Sequence, residues 1–116
     1  MPKVCVNGKC YNVEIFDSQE ERQKGLMFRD SLEANKGAFF IFEDEGEHTF
    51  WMKDVKFPID IIWIDEDKIV VDVKRNAETC TDKCEIYFPK NNARYVLEVN
   101  VNSGIEIGDK VDVKDL

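Results

Sequence analysis

Residues 50–65 read FWMKDVKFPIDIIWID, an apolar stretch with two tryptophans that also carries Lys53 and Asp60. Pro58 divides it. Proline suits the first position of a strand but cannot donate within a ladder, so Ile59 to Asp65 is expected as a strand that begins where the proline ends. Alternation then puts Ile59, Ile61, Trp63 and Asp65 on one face and Asp60, Ile62 and Ile64 on the other. A strand that is apolar on both faces belongs in the middle of a sheet.

Working outward, Glu66-Asp67-Lys68 turns the chain back into a strand from Ile69 to Val73. Upstream, Gly37 to Phe42 reads as a strand, the acidic run 43–47 as its turn, and Thr49 to Lys53 as the returning strand of a hairpin. At the start of the chain, Asn7-Gly8 supplies the positive dihedrals of a two-residue turn. It pairs Lys3 to Cys5 with the strand from Cys10, which continues through Tyr11, Val13 and Ile15. Asp17-Ser18 followed by Glu21 forms a capping box for a helix over Gln19 to about Leu26, with Gly25 as its stop. After an irregular segment, Arg75 to Asn92, come a central strand, Arg94 to Val101, and a last short one, Lys110 to Val113. About seven short strands with one early helix predict a mainly β fold, an antiparallel sandwich or barrel.

A chain of 116 residues, 43% hydrophobic and 34% charged, supports one domain and one core. It contains no repeat, low-complexity tract or interdomain linker. Its 24 acidic residues against 16 basic ones leave a net charge of -8, which repels phosphate backbones and anionic lipid, so neither nucleic acid nor membrane is expected as a partner. The N-terminal residues lack a basic region followed by an apolar run, and no segment reaches the roughly 18 apolar residues of a membrane span. A cytoplasmic location is the expectation. Abundant Lys, Glu, Ile and Val with a single His lean toward a thermophile-like composition.

Several tracts taken together carry a family resemblance: RQKGLMFRDSL (22–32), GAFFIF (37–42), FWMKDVKFPIDIIWID (50–65), CTDKCEIY (80–87), YVLE (95–98) and IGDKV (107–111). In this order, over roughly residues 10 to 113, they resemble the domain of unknown function 192 family. The resemblance implies a small β-rich, jelly-roll-like domain and brings with it no substrate, cofactor or catalytic residue. Two departures stand out. The family tract reads Trp-Met-Lys-Asn-Thr where this chain has Asp54-Val55, and Met is frequent where Ala38 stands, which removes any side-chain amide or hydroxyl at positions 54 and 55.

Asp60 and Glu98 lie on strands among apolar neighbours, and a carboxylate so placed must be paired, hydrogen-bonded or protonated, because burying it alone costs several kcal/mol. Lys53, Arg22, Arg29 and Arg94 are the candidate partners. As a binding site, Arg29, Trp51, Lys53, Asp60 and Glu98 would surround a small ligand or a partner protein's group, with Trp51 as the apolar wall. As an enzyme, Asp60 or Glu98 would be the general base and Lys53 its electrostatic stabiliser. The plain alternative is a structural ion-pair network. Arg22 and Arg29, seven residues apart, would stand about 10 Å from each other on a continuous helix, too far to grip one phosphate. If Gly25 ends the helix, Arg29 can turn back to the sheet.

The four cysteines occur as Cys5/Cys10 and Cys80/Cys84. Across an Asn7-Gly8 turn, Cys5 faces Cys10 at a non-hydrogen-bonded pair with about 4.5 Å between Cα atoms, inside the roughly 4.4 to 6.8 Å range of disulfides. Cys80 and Cys84 can also close locally. Two disulfides are the first expectation, ahead of free thiols and of a four-thiolate zinc or redox module. The acidic run lacks calcium-loop spacing, His48 has no marked nucleophile to serve, and no phosphate or dinucleotide fingerprint occurs, so no cofactor is implied.

Overall fold

In the computed structural model, which describes residues 1–116, Asn7 (φ 54) and Gly8 (φ 77) make the expected tight turn. The elements run β1 (Lys3–Val6), β2 (Lys9–Phe16), α1 (Gln19–Lys24), β3 (Lys36–Gly46), β4 (Ile59–Ile64), β5 (Val70–Ala77), β6 (Ala93–Asn100) and β7 (Val111–Lys114). The strands form one sheet in the order β5-β4-β6-β3-β2-β1-β7. Every neighbouring pair is antiparallel except β2 and β3, which run parallel because the segment carrying α1 returns the chain to the same end.

The sheet curls until its two edges meet at one end. Ile69 bridges Lys110, Val70 donates to the Asp109 carbonyl at 2.9 Å, and Val111 donates to that of Lys68 at 2.8 Å. The result is a curled half-barrel of seven strands with one short helix, in keeping with the β sandwich or barrel expected. Its concave side holds a core drawn from all seven strands, including Val4, Tyr11, Phe39, Ile62, Leu97 and Val111. The outer face of the central strands has a second core, in which Phe40, Ile61, Trp63 and Val96 pack against Leu26, Met52 and Val55 from non-strand segments. All six residues of β4 are buried, as its apolar faces predict. Gly37 lets β3 and β6 approach: a Cβ there would lie 3.0 Å from the Glu98 carbonyl oxygen and 3.0 Å from a Val99 methyl.

Two local readings are corrected. The acidic run is not a simple turn, since β3 continues to Gly46, which pairs with Ala93 beyond a register shift. Its acidic side chains stay in solvent along this extension, so no apolar alternation marked it as strand. Residues 49–53 do not return along β3. Phe50 instead exchanges backbone hydrogen bonds with Tyr87 (3.1 and 2.7 Å), Asp54 donates to the Cys80 carbonyl at 2.9 Å, and Trp63 Nε1 donates to the His48 carbonyl at 2.8 Å. The tract lies across the outer face, turned by Asp54 at φ 60, and drives Met52 and Val55 into the second core.

Candidate functional site

The Ser18 hydroxyl accepts from the Glu21 backbone N–H and the Glu21 carboxylate accepts from that of Ser18, so the capping box sets where α1 starts. Hydrogen bonds to Ser18 hold the Glu21 carboxyl below its usual range. Gly25, at φ 49, stops the helix. Between α1 with its exit at Gly25 to Met27 and the tract 48–55 lies a cavity of about 730 Å³. Its apolar walls include Leu26, Met27, Phe40, Phe42, Phe50 and Val55. Trp51 and Ile86 flank it, and Arg22, Lys24 and His48 are the basic residues of its lining, beside Gln19, Gln23 and Thr49.

Glu98 also lines this cavity, although only 4% of it is exposed. On β6 it stands opposite Ala38 of β3 and Ile61 of β4, both buried and apolar. Its side chain forms no hydrogen bond or ion pair within the chain, and its carboxyl oxygens are not sealed off, because no fully buried side-chain oxygen here lacks a partner. Burial penalises the charged form and pushes its carboxyl up to about 8, so near neutrality it is mostly protonated. Phe40 and Phe50 meet edge-to-face at 5.0 Å between ring centroids, and Phe42 meets Phe50 the same way at 6.2 Å. The Arg22 guanidinium lies 5.1 Å from the centre of the Phe42 ring, and its Nη1 donates to the carbonyls of Asp17 (2.6 Å) and Ile41 (2.9 Å).

Of the five residues the sequence grouped, only Trp51 and Glu98 share this cavity. Asp60 leaves the sheet on the concave side. There its carboxylate accepts from the backbone N–H groups of Asn76 (2.9 Å) and Ser103 (3.1 Å) and from the Ser103 hydroxyl (2.7 Å). It needs no cation. Lys53 is exposed and makes no ion pair, its ammonium 5.6 Å from the centre of the Trp51 ring. Arg29 turns back to the sheet, as a helix ending at Gly25 allows, and pairs with Glu14 of β2 at 2.7 Å, outside the main cavity. Arg94 serves β3 and Glu66, binding the latter at 2.9 Å. The expected pairing of Lys53 with a buried carboxylate is therefore absent, as is a single cluster of all five residues.

The sequence did not single out Phe40, Phe42 and Phe50, and His48 was set aside for want of a nucleophile to serve. Phe42 and Phe50 are only half-buried. The signal available was Glu98, an acid on a strand that is otherwise apolar on both faces.

Both cysteine pairs are disulfides, Cys5–Cys10 with 4.0 Å between Cα atoms and Cys80–Cys84 with 5.7 Å, which leaves no free thiol for the four-thiolate site considered as an alternative. No three His, Cys, Asp or Glu side chains cluster in a metal-binding arrangement. No helix is long and apolar enough to cross a membrane.

Comparison with known proteins places the chain in a family. A family model described as an uncharacterised ancient conserved region, DUF192, matches residues 3–113. A UPF0127 protein of Pyrococcus abyssi is 36% identical over 109 residues, covering 86% of this chain and 84% of the relative. One from Thermococcus sibiricus is 32% identical over 109 residues, and the match takes in 86% of this chain but only 64% of that protein's length. A crystal structure of a protein of unknown function from Novosphingobium aromaticivorans superposes with a TM-score of 0.85 at 30% identity, covering 95% of this chain and 83% of that one. A second, from Sinorhizobium meliloti, shares the fold with a TM-score of 0.88 at 24% identity, over 99% of this chain and 93% of that one. With the model matched over nearly its whole length, the chain belongs to the DUF192 family, to which the tracts around Trp51 and Glu98 pointed.

Proposed function

We propose that the chain is a binding module that takes a small, largely apolar ligand into the cavity beneath α1 and anchors it on Glu98. The carrying observation is the Glu98 carboxyl itself, buried at an apolar cavity and without a partner in the chain. Since no sealed side-chain oxygen in the chain lacks a partner, the unpartnered Glu98 carboxyl keeps its small exposure where it opens on the cavity, and a ligand group entering there would bond to it. The cavity, about 730 Å³, falls in the range of roughly 300 to 1,000 Å³ typical of small-molecule sites and is walled by aromatic rings, as such sites are. A concave cavity also favours a small ligand over a flat protein partner.

An enzymatic reading would use the same carboxyl, whose raised proton affinity suits general acid–base work. Lys53, the expected electrostatic stabiliser, is not part of the cavity lining, and Arg22, Lys24 and His48, which are, form no hydrogen bond or ion pair with Glu98. Binding is the better supported reading.

Native mass spectrometry of gently purified protein, beside Glu98→Gln and Trp51→Ala, tests it. A small adduct held by the native chain and reduced in both variants is the expected result. The reading fails if no adduct is found and anilinonaphthalene sulfonate, an apolar dye, shows no fluorescence gain on the native chain that Trp51→Ala diminishes.

A further inference from the structure

The binding reading leaves the chemistry of the ligand open, and the composition of the cavity narrows it. Glu98 is the only acidic side chain in the lining. In the same cavity Phe40 and Phe50 meet edge-to-face at 5.0 Å between ring centroids, whereas the Phe42 ring is already taken, stacked on His48 at 3.7 Å and faced by the Arg22 guanidinium at 5.1 Å. Ring faces carry negative electrostatic potential and attract cations, most strongly where water is excluded. A carboxyl without a partner beside a group of aromatic rings has the composition of a site for a desolvated ammonium.

We propose that the cavity selects ligands carrying an ammonium group on an apolar body, with the charged nitrogen seated between the Glu98 carboxylate and the rings of Phe40 and Phe50. This rests on the binding reading above. The basic groups that share the cavity do not overturn the preference. Arg22 is committed to the carbonyls of Asp17 and Ile41 and to the Phe42 ring. Lys24 is exposed to solvent, and the His48 ring nitrogen lies 3.0 Å from the Asp44 carbonyl and 3.7 Å from its carboxylate. From β3 and β4 Glu98 faces only Ala38 and Ile61, neither of which titrates. The chain's net charge of -8 adds a long-range pull on cations.

Seating an ammonium requires Glu98 to ionise. The ligand arrives already protonated, the carboxyl gives its proton to the buffer, and the complex holds a carboxylate–ammonium pair. Since the empty site holds that proton up to about pH 8, binding at pH 7 should release close to one proton. Between pH 6 and 7, affinity should rise about tenfold.

The test is calorimetric titration with three probes of one shape: naphthylmethylamine, naphthylmethanol and naphthylacetate, in buffers of different ionisation enthalpy. The expected result is binding of the amine at least tenfold tighter than the alcohol, with proton release, and the carboxylate weakest. Glu98→Gln should erase the amine preference and the proton release while the alcohol still binds. Alcohol or carboxylate binding as tightly as the amine overturns the ammonium assignment but leaves the cavity as a ligand site. An amine preference that survives Glu98→Gln removes Glu98 as its source and has the same effect. If none of the three binds, the binding reading falls as well.

Discussion

Asp60 and Glu98 lie on neighbouring strands, one residue out of register, and their carboxyls leave the sheet on opposite faces. Glu98 pairs with Ile61 and projects with it into the outer core, whereas Asp60 pairs with Val99 and projects into the concave side. The two acids meet burial differently. Asp60 accepts three hydrogen bonds from Asn76 and Ser103, while Glu98 has none. That contrast separates a structural carboxylate from one available to a ligand.

Glu98 should make stability fall as pH rises. Its folded value of about 8 lies above the ordinary carboxyl value of 4.5 that applies to the unfolded chain, so between these limits the folded chain holds a proton that the unfolded chain has lost. The associated stability is fully present below about pH 4.5 and gone above about pH 8, with an upper figure of roughly 5 kcal/mol. Urea denaturation from pH 5 to 9 should show this decline. Glu98→Gln, which cannot ionise, should flatten it and be the more stable form at pH 9.

Asp60 should matter for stability and not for the choice of ligand. Asp60→Ala leaves the Asn76 and Ser103 donors without their acceptor inside the fold and should cost about 3 kcal/mol or more, with Ser103→Ala costing about 1 kcal/mol. Neither should change the relative affinities of the naphthyl probes at temperatures where the variants remain folded. A lost amine preference in Asp60→Ala would make this carboxylate part of the site.

Local chemistry decided how much of this was legible in the sequence. Asn7-Gly8, the Ser18/Glu21 capping box and the two-faced apolar run of β4 each act within a few residues, and the sequence reading placed all three. The facing of Cys5 and Cys10 followed from turn register alone. Alternation also put Asp60 on one face with Ile62 correctly. Where Thr49 to Lys53 would go was not legible, because its partners, Tyr87 and Cys80, lie more than 25 residues away and carry no matching pattern. The mistaken grouping of Lys53 with Asp60 had the same origin. Their closeness in sequence spans Pro58 and a change from a segment lying over the sheet to a strand within it.

Gly25 links the helix to the cavity. Its φ of 49 already disfavours a side chain, and a Cβ there would come within 3.3 Å of the Phe40 ring. Gly25→Ala should therefore cost more than ~1 kcal/mol and displace that ring. It should weaken naphthylmethylamine several-fold while leaving the secondary-structure content seen by circular dichroism unchanged. Unaltered affinity would mean that Phe40 does not shape the site.

The disulfides should differ in their influence on the cavity. Closing loops of similar size, each is worth about 2 kcal/mol through the unfolded chain, so Cys5→Ser/Cys10→Ser and Cys80→Ser/Cys84→Ser should lose similar stability. Their local effects diverge. Cys5 and Cys10 join β1 to β2, away from the cavity, whereas the Cys80 carbonyl accepts from Asp54 and Tyr87, three residues past Cys84, pairs with Phe50. The second disulfide thus fixes the loop against which the cavity wall is hung. Without it, the amides of Phe50, Asp54 and Tyr87 should exchange with deuterium about tenfold faster through local opening, and amine affinity should drop. The first pair's variant should leave both unchanged. Equal protection of these amides in the two variants would mean that the wall is held by Met52 and Val55 packing into the outer core, with the Cys80–Cys84 loop following it.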